Sequence, residues 1–158
     1  MRRLILMRHG EADSAQGSQK DHDRPLTQAG IGAAVRCAQE LRARGFSPDL
    51  ILCSDALRAT MTMQAVIRGG NFTGIPSKEL SLLYLAEPDI LRLRCCEVDT
   101  SVATLLVIGH NPGWSDLASQ LCGLPLSLGT AQAALLEHSD SEWIPALHAH
   151  WHLKALIP

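Results

Sequence analysis

Three short runs along the chain are almost wholly apolar: Leu4–Met7, Leu50–Cys53 and Thr104–Ile108. None of them alternates apolar with polar residues, and such continuous runs are typical of strands covered on both faces of a parallel sheet. Longer stretches with helical spacing of apolar residues separate them. The pattern predicts an α/β domain with three layers, α/β/α, in which a mostly parallel sheet carries helices on both faces.

Capping and breaking residues set the expected limits of the helices. Thr27 is predicted as the N-cap of a first helix that Gly45 follows, and Gly69–Gly70 is predicted as the stop of a second. Helices are therefore expected at about 28–44, 55–68, 88–97 and 114–121, and the late segments 131–136 and 146–156 are expected to be strands of a hairpin. Residues 71–87 show no regular pattern.

Composition narrows the class of protein. A chain of 158 residues with 46% hydrophobic residues is expected to form one domain, residues 1–158, with a substantial core. A net charge of −2 gives no general attraction for nucleic acid or for an anionic membrane. No stretch has the length of a membrane span or of a signal-peptide core, which predicts a cytoplasmic protein. The five cysteines include no C-x-x-C pair, so reduced packing residues are expected.

Basic side chains follow all three apolar runs. The segments are Arg8-His9-Gly10, Ser54 to Thr60 with Arg58 in it, and Gly109-His110-Asn111. Ligands of open α/β sheets bind outside the carboxyl ends of the strands, where these segments would meet if the strands are parallel. A neutral imidazole can attack phosphorus, a guanidinium can hold two phosphate oxygens, and glycine leaves room for the oxyanion. The three segments together predict a site that reacts with phosphate.

Arg58 carries a separate indication of an anion. It falls in the first turn of the second predicted helix, where the helix dipole disfavours a cation. An anion bound nearby would resolve this conflict.

These segments, read in order, match a known family. The matching residues are the first strand with Arg8-His9-Gly10-Glu11-Ala12, then Arg24 to Gly30, Ser54 with Arg58-Ala59-Thr60, Leu83-Tyr84, and Gly109 to Gly113. Together they resemble the histidine phosphatase superfamily, which has the phosphoglycerate mutase-like fold, and within it the SixA-type phosphohistidine phosphatases.

The resemblance implies a role for each matched residue. His9 is expected to be the nucleophile, while Arg8, Arg58 and a protonated His110 are expected to bind the phosphoryl group. Neutral His9 would attack phosphorus in line, and water would hydrolyse the resulting phosphohistidine. The resemblance implies neither a metal nor a cofactor, since the cationic side chains meet the charge.

Three further candidates, Glu87, Ser54 and the segment 111–113, have two interpretations each. The resemblance suggests Glu87 as a proton donor for the leaving group, but it can equally be a carboxylate at a helix start. Ser54 is favoured as a helix N-cap over a phosphate contact. The backbone amides around Asn111 can line an anion site, although a plain Pro-Gly turn is an equal interpretation of residues 111–113. Gly10 is expected in the binding site, where it leaves room for the oxyanion.

The strongest competing cluster consists of His148, His150 and His152. On a strand, their alternation would place all three on one face at a spacing that could bind a metal. The run contains no carboxylate or cysteine, so a polar strand face is the favoured interpretation, with no metal ligand expected.

The substrate prediction rests on the short loops. Only residues 11–25 and 69–87 are available to cover the site, and an open site suits a protruding side chain. The predicted activity is dephosphorylation of phosphohistidine in a phosphotransfer protein, without nucleic acid or membrane partners and compatible with a monomer. Two alternatives stay open: a small-molecule phosphomonoesterase, and a regulatory module that binds phosphate without turnover.

Overall fold

Strands and helices alternate along the backbone of the computed structural model, which describes residues 1–158. The six strands are β1 (Arg2–Arg8), β2 (Leu50–Ser54), β3 (Ser77–Leu80), β4 (Thr104–Gly109), β5 (Ala133–His138) and β6 (His152–Ile157). The five α-helices are α1 (Gln28–Ala43), α2 (Leu57–Gly70), α3 (Pro88–Cys96), α4 (Gly113–Cys122) and α5 (Trp143–Leu147).

All six strands form one sheet in the order β3-β2-β4-β1-β5-β6. The first four in this order are parallel, and β5 and β6 pair antiparallel at the other side. The three predicted apolar strands are therefore neighbours, with β4 between β2 and β1. Their carboxyl ends lie at one edge of the sheet, as the sequence predicts.

The sheet separates two hydrophobic cores, because alternate residues of each central strand point to opposite faces. Ile5 and Met7 of β1 pack in the core shared with α1 and α2. Leu4 and Leu6 pack in the core shared with α3, α4 and α5, which also contains all three tryptophans. This arrangement confirms the three-layer prediction and explains why the strand residues do not alternate with polar ones.

Several local predictions are confirmed. The Thr27 side chain accepts a hydrogen bond from the Gly30 amide at 2.9 Å and caps α1. Gly45 follows that helix with a φ of 77°, a conformation that glycine adopts without strain. Pro88 is the first residue of α3, and all five cysteines are free thiols.

Other predictions are wrong at identifiable places. α2 begins at Leu57 and continues through Gly69–Gly70, and it ends only where Asn71 takes the left-handed conformation with a φ of 54°. β3 lies in the stretch where no element is predicted, because an edge strand of sequence Ser-Lys-Glu-Leu has no apolar run to reveal it. The predicted strand 146–156 is a strand only from His152, since residues 143–147 form α5.

The three C-terminal histidines consequently do not share a strand face. His148 follows α5, His150 lies in the connection, and only His152 belongs to β6. No three His, Cys, Asp or Glu side chains of the protein are grouped closely enough to hold a metal ion. None of the helices combines the length and apolar character that crossing a membrane requires.

Candidate active site

The site is built where β1, β2 and β4 end. Arg8 pairs with Gly109 in the parallel register, so His9 and His110 each follow a paired residue on adjacent strands. Their ring centroids are 5.2 Å apart. Arg58, on the first turn of α2, brings its Nε to 3.3 Å from His9 Nε2. The structure thus brings together three side chains that the sequence places far apart.

The His9 ring is held in one tautomer. Its Nδ1 lies 2.7 Å from the Gly10 carbonyl oxygen, which can only accept, so Nδ1 carries the proton. Nε2 faces the Arg58 Nε–H and therefore presents its lone pair. Burial, opposed by the Gly10 contact and aided by nearby arginines, lowers the pKa of His9 from 6.5 to about 4. His9 is neutral near pH 7, and its Nε2 lone pair can attack phosphorus once the hydrogen bond from Arg58 is released.

Arg58 is almost enclosed, with 3% of its surface exposed, and its charge is met by a carboxylate. Nη2 donates to Asp21 Oδ2 at 3.0 Å, and Nη1 donates to the Asp21 carbonyl oxygen at 2.8 Å. The sequence predicts an anion beside the start of α2. In the unliganded protein the Asp21 carboxylate occupies part of that role. Sequence reasoning missed Asp21 because an aspartate in a polar loop carries no distinguishing pattern.

Two further arginines face the same region. Arg8 donates from Nη1 to the Leu128 carbonyl at 3.2 Å, and its buried Nε has no hydrogen-bond partner. Arg24 donates to Asp21 Oδ1 at 2.8 Å and to the Asp13 carbonyl at 2.7 Å. Both charges contribute to the lowered pKa of His9. Arg24 lies within the motif that carries the family resemblance, but no role for Arg24 is predicted from the sequence.

His110 is 1% exposed and hydrogen-bonds through Nε2 to Ser54 Oγ at 2.8 Å. Its Nδ1 is buried without a partner. Burial first, and then the charges of His9 and Arg58, lower the pKa of His110 from 6.5 to about 3. His110 is therefore neutral in the unliganded protein, and its protonation beside a bound phosphoryl dianion stays a prediction.

Ser54 is not the N-cap of α2, contrary to the favoured interpretation. It is the last residue of β2, and Ala56 takes the N-cap position without a side-chain hydrogen bond. The Ser54 hydroxyl instead accepts from the Ala56 amide at 3.2 Å and contacts His110. Ser54 therefore supports a site histidine, while a direct contact with phosphate stays a prediction.

Gly10 and Asn111 have clear structural roles. A Cβ on Gly10 would lie 2.8 Å from the Gly30 carbonyl oxygen, so glycine allows the end of β1 to approach α1. Asn111 accepts from the Ser115 hydroxyl at 2.7 Å and donates to the Leu128 carbonyl at 2.7 Å. Its side chain is thus committed to the fold, and substrate contacts by either residue stay predictions.

Glu87 takes the N-cap position of α3, is exposed and makes no capping hydrogen bond. It lines a cavity of about 410 Å³ whose other walls include Pro112 and Gly113. This cavity adjoins the loop that follows His110. The carboxylate that contacts Arg58 is Asp21, and a proton-donor role for Glu87 stays a prediction.

Asp21 and Tyr84 join two loops across the site. The Tyr84 hydroxyl donates to Asp21 Oδ2, and its ring lies edge-on to His110 at 5.4 Å and to His22 at 4.9 Å. Hydrogen bonds from Tyr84, Arg24 and Arg58 hold the pKa of Asp21 well below its usual range. Asp21 is therefore ionised at every physiological pH.

Comparison with known proteins agrees with this geometry. Residues 4–81 match the model of the histidine phosphatase superfamily, branch 1. An uncharacterized chloroplastic protein of Arabidopsis thaliana is 36% identical, over 99% of this chain and 77% of its own length. Phosphohistidine phosphatase SixA of Escherichia coli is 30% identical, over 75% of this chain and 73% of its own.

A solved structure extends the likeness to the fold. The crystal structure of a candidate phosphohistidine phosphatase SixA from Agrobacterium tumefaciens superposes with a TM-score of 0.84 at 29% identity. The alignment covers 99% of this chain and 97% of that one. The predicted phosphoglycerate mutase-like architecture is confirmed. The chain belongs to the histidine phosphatase superfamily and is a phosphatase.

Proposed function

We propose that the protein removes the phosphoryl group from a phosphohistidine side chain of a phosphotransfer protein, through a phosphohistidine intermediate on His9. The His9 Nε2 lone pair forms a bond to phosphorus while the phosphorus–nitrogen bond of the substrate breaks, and the departing imidazole keeps its proton. Water then attacks phospho-His9, which yields inorganic phosphate and neutral His9.

The state of His9 supports this nucleophilic role. Its tautomer is set by the Gly10 carbonyl, its lone pair faces Arg58, and its pKa of about 4 leaves it unprotonated near neutral pH. Phosphoryl transfer depends mainly on positioning and on electrostatic stabilisation of spread negative charge. Arg8, Arg24 and Arg58 supply that charge around the attacking nitrogen.

The three hydrogen bonds donated to the Asp21 carboxylate are the observation that favours phosphohistidine over an alcohol ester. The carboxylate beside the nucleophile accepts hydrogen bonds from Tyr84, Arg24 and Arg58, so it has no proton to give. An alkoxide is a poor leaving group and needs a general acid, whereas an imidazole can leave already protonated. The site is therefore suited to breaking a phosphorus–nitrogen bond.

Exposed leucines near the site support a protein substrate. Leu82 and Leu85 flank Tyr84 and are largely exposed, and Leu57, which precedes Arg58, is also exposed. Leu82 and Leu85 lie in one short segment, and apolar side chains grouped on a surface commonly mark contacts with another protein. A phosphorylated side chain presented by a partner would reach the site past these leucines.

The direct test is turnover of a phosphorylated histidine-containing phosphotransfer protein. We expect release of inorganic phosphate by the wild-type protein and none by His9→Gln, together with an acid-labile phosphoenzyme that is absent from the variant. His152→Gln, at an exposed position on β6, is the matched control and should behave as wild type. Rapid hydrolysis of sugar phosphates with none of phosphohistidine would overturn the substrate assignment, and phosphate binding without a phosphoenzyme would indicate a regulatory module.

The cavity lined by Glu87 favours one second candidate, a small-molecule phosphomonoesterase. Glu87 opens onto this space beside the loop after His110, from where it would protonate an alcohol leaving group. In that case Glu87→Gln would lower hydrolysis of an alkyl phosphate about tenfold or more and leave phosphoramidate hydrolysis nearly unchanged. Asp89→Asn, on the same helix start, is the control. Equal effects on both substrates would exclude an acid role for Glu87.

A further inference from the structure

Asp21 contacts a set of donors that is unusual for a loop carboxylate. Oδ2 accepts from Arg58 Nη2 at 3.0 Å and from the Tyr84 hydroxyl, while Oδ1 accepts from Arg24 Nη1 at 2.8 Å. Arg58 is buried, yet the Asp21 side chain itself is 47% exposed. The carboxylate thus lies at the mouth of the site and reaches inward to its cations.

A phosphoryl group at His9 would accept hydrogen bonds from the donors that now contact Asp21. Arg58 Nε is 3.3 Å from His9 Nε2, so any phosphorus atom in line with Nε2 lies beside this guanidinium. Guanidinium groups bind carboxylate and phosphate through the same forked geometry. In the unliganded protein Arg58 already donates from Nη2 to the Asp21 carboxylate and from Nη1 to the Asp21 backbone carbonyl. Asp21 and a phosphoryl group therefore compete for Arg58.

We propose that Asp21 is a specificity-determining residue, an internal competitor that keeps free phosphate out of the site and yields to a phosphoryl group carried by a protein. This inference rests on the proposed function. A free phosphate ion has only its own charge and hydrogen bonds with which to displace the Asp21 carboxylate from Arg58. A phosphorylated protein also brings surface contacts, which add binding free energy that Asp21 does not oppose.

The local structure allows the Asp21 carboxylate to move away from Arg58. Asp21 and Arg24 lie at either end of one short 3₁₀ turn, so their contact can persist when the turn moves away from Arg58. Tyr84 belongs to the other loop, and its hydroxyl would then be free to donate to the incoming phosphoryl group. The exchange replaces one anion by another on Arg58 and leaves no buried charge unpaired.

Binding of inorganic phosphate tests this inference without any turnover. We expect Asp21→Asn to bind phosphate about tenfold more tightly than wild type in isothermal titration calorimetry, because the competing charge is gone. Asp23→Asn removes the same charge from the same turn but has no contact with Arg58, and it should bind phosphate as wild type does. The KM for an aryl phosphate should fall by a similar factor in Asp21→Asn, and the KM for a phosphorylated protein should fall less.

Weaker or unchanged phosphate binding by Asp21→Asn would overturn the inference and would identify Asp21 as a residue that only orients Arg58. Asp21→Ser is measured in parallel, and loss of folding in both variants would likewise mark Asp21 as structural. Failure of the proposed function is distinguishable, because it would appear as absent phosphohistidine turnover in the wild-type protein. Tighter phosphate binding by Asp21→Asn can still be observed in that case.

Discussion

The two buried neutral histidines should make the protein sensitive to mild acid. In the unfolded chain a histidine takes up its proton near pH 6.5, whereas the folded-state pKa is about 4 for His9 and about 3 for His110. The unfolded state therefore binds more protons below pH 6.5, and stability falls as the pH decreases. This stabilisation is fully present above pH 6.5 and is lost progressively towards the folded-state pKa values.

The magnitude follows from these shifts. At about pH 5 the unfolded form of each histidine is largely protonated and the folded form is not, which lowers the free energy of unfolding by about 2 kcal/mol per residue. Both side chains are more than nine-tenths buried, so solvent screens this effect little. His22 acts with the opposite sign, because its contact with Asp55 raises its pKa. A difference between wild type and a His9 variant cancels the His22 contribution.

Urea unfolding at about pH 7.5 and about pH 5 measures the effect. Between the two conditions His9→Gln should lose about 2 kcal/mol less than wild type, since one of the two titrating groups is absent. His152→Gln, exposed on β6, should lose as much as wild type. Equal losses in the free energy of unfolding for wild type and His9→Gln would refute the reasoning. They would mean that His9 has the same pKa in the folded and unfolded states.

Three further substitutions test the supports of the site. Ser54→Ala removes the hydrogen-bond partner of His110 and should lower kcat/KM about tenfold with little change in KM, measured by steady-state kinetics on a phosphoramidate. Gly10→Ala places a methyl group 2.8 Å from the Gly30 carbonyl oxygen and should cost about 1–3 kcal/mol in urea unfolding. Thr62→Val removes the acceptor of the Gly10 amide and the donor to the Arg58 carbonyl, and a loss of stability of about 1–3 kcal/mol is expected in the same assay.

The central sheet could be predicted from the sequence because continuous apolar runs have few alternatives in a chain of this size. The predicted convergence of His9, Arg58 and His110 depends only on parallel neighbouring strands, and the structure confirms it. β3 and α5 could not be predicted in the same way. β3 is a polar edge strand, and α5 interrupts an apolar stretch in which helical and strand patterns cannot be told apart.

The missed parts of the site are those set by tertiary contacts. Asp21 lies in a polar loop, and nothing local indicates that it reaches Arg58, a residue 37 positions later. Serine is a common N-cap residue, so Ser54 is predicted to cap the second helix. In the structure α2 begins at Leu57, and Ala56 takes the N-cap position. The neutral state of the unliganded His110 could not be predicted either, because the burial that lowers its pKa is set by tertiary contacts.

The pairing of Arg8 with Gly109 has a consequence for how this protein can diverge. His9 and His110 keep their relative placement through strand register, and the His9 amide donates to the Gly109 carbonyl at 2.9 Å. Inserting a single residue into either strand would turn one imidazole to the opposite side of the sheet. Residues 11–25 and 81–87 bear no such constraint. New substrates should therefore be acquired by lengthening those loops, while β1 and β4 tolerate substitutions but not changes of length.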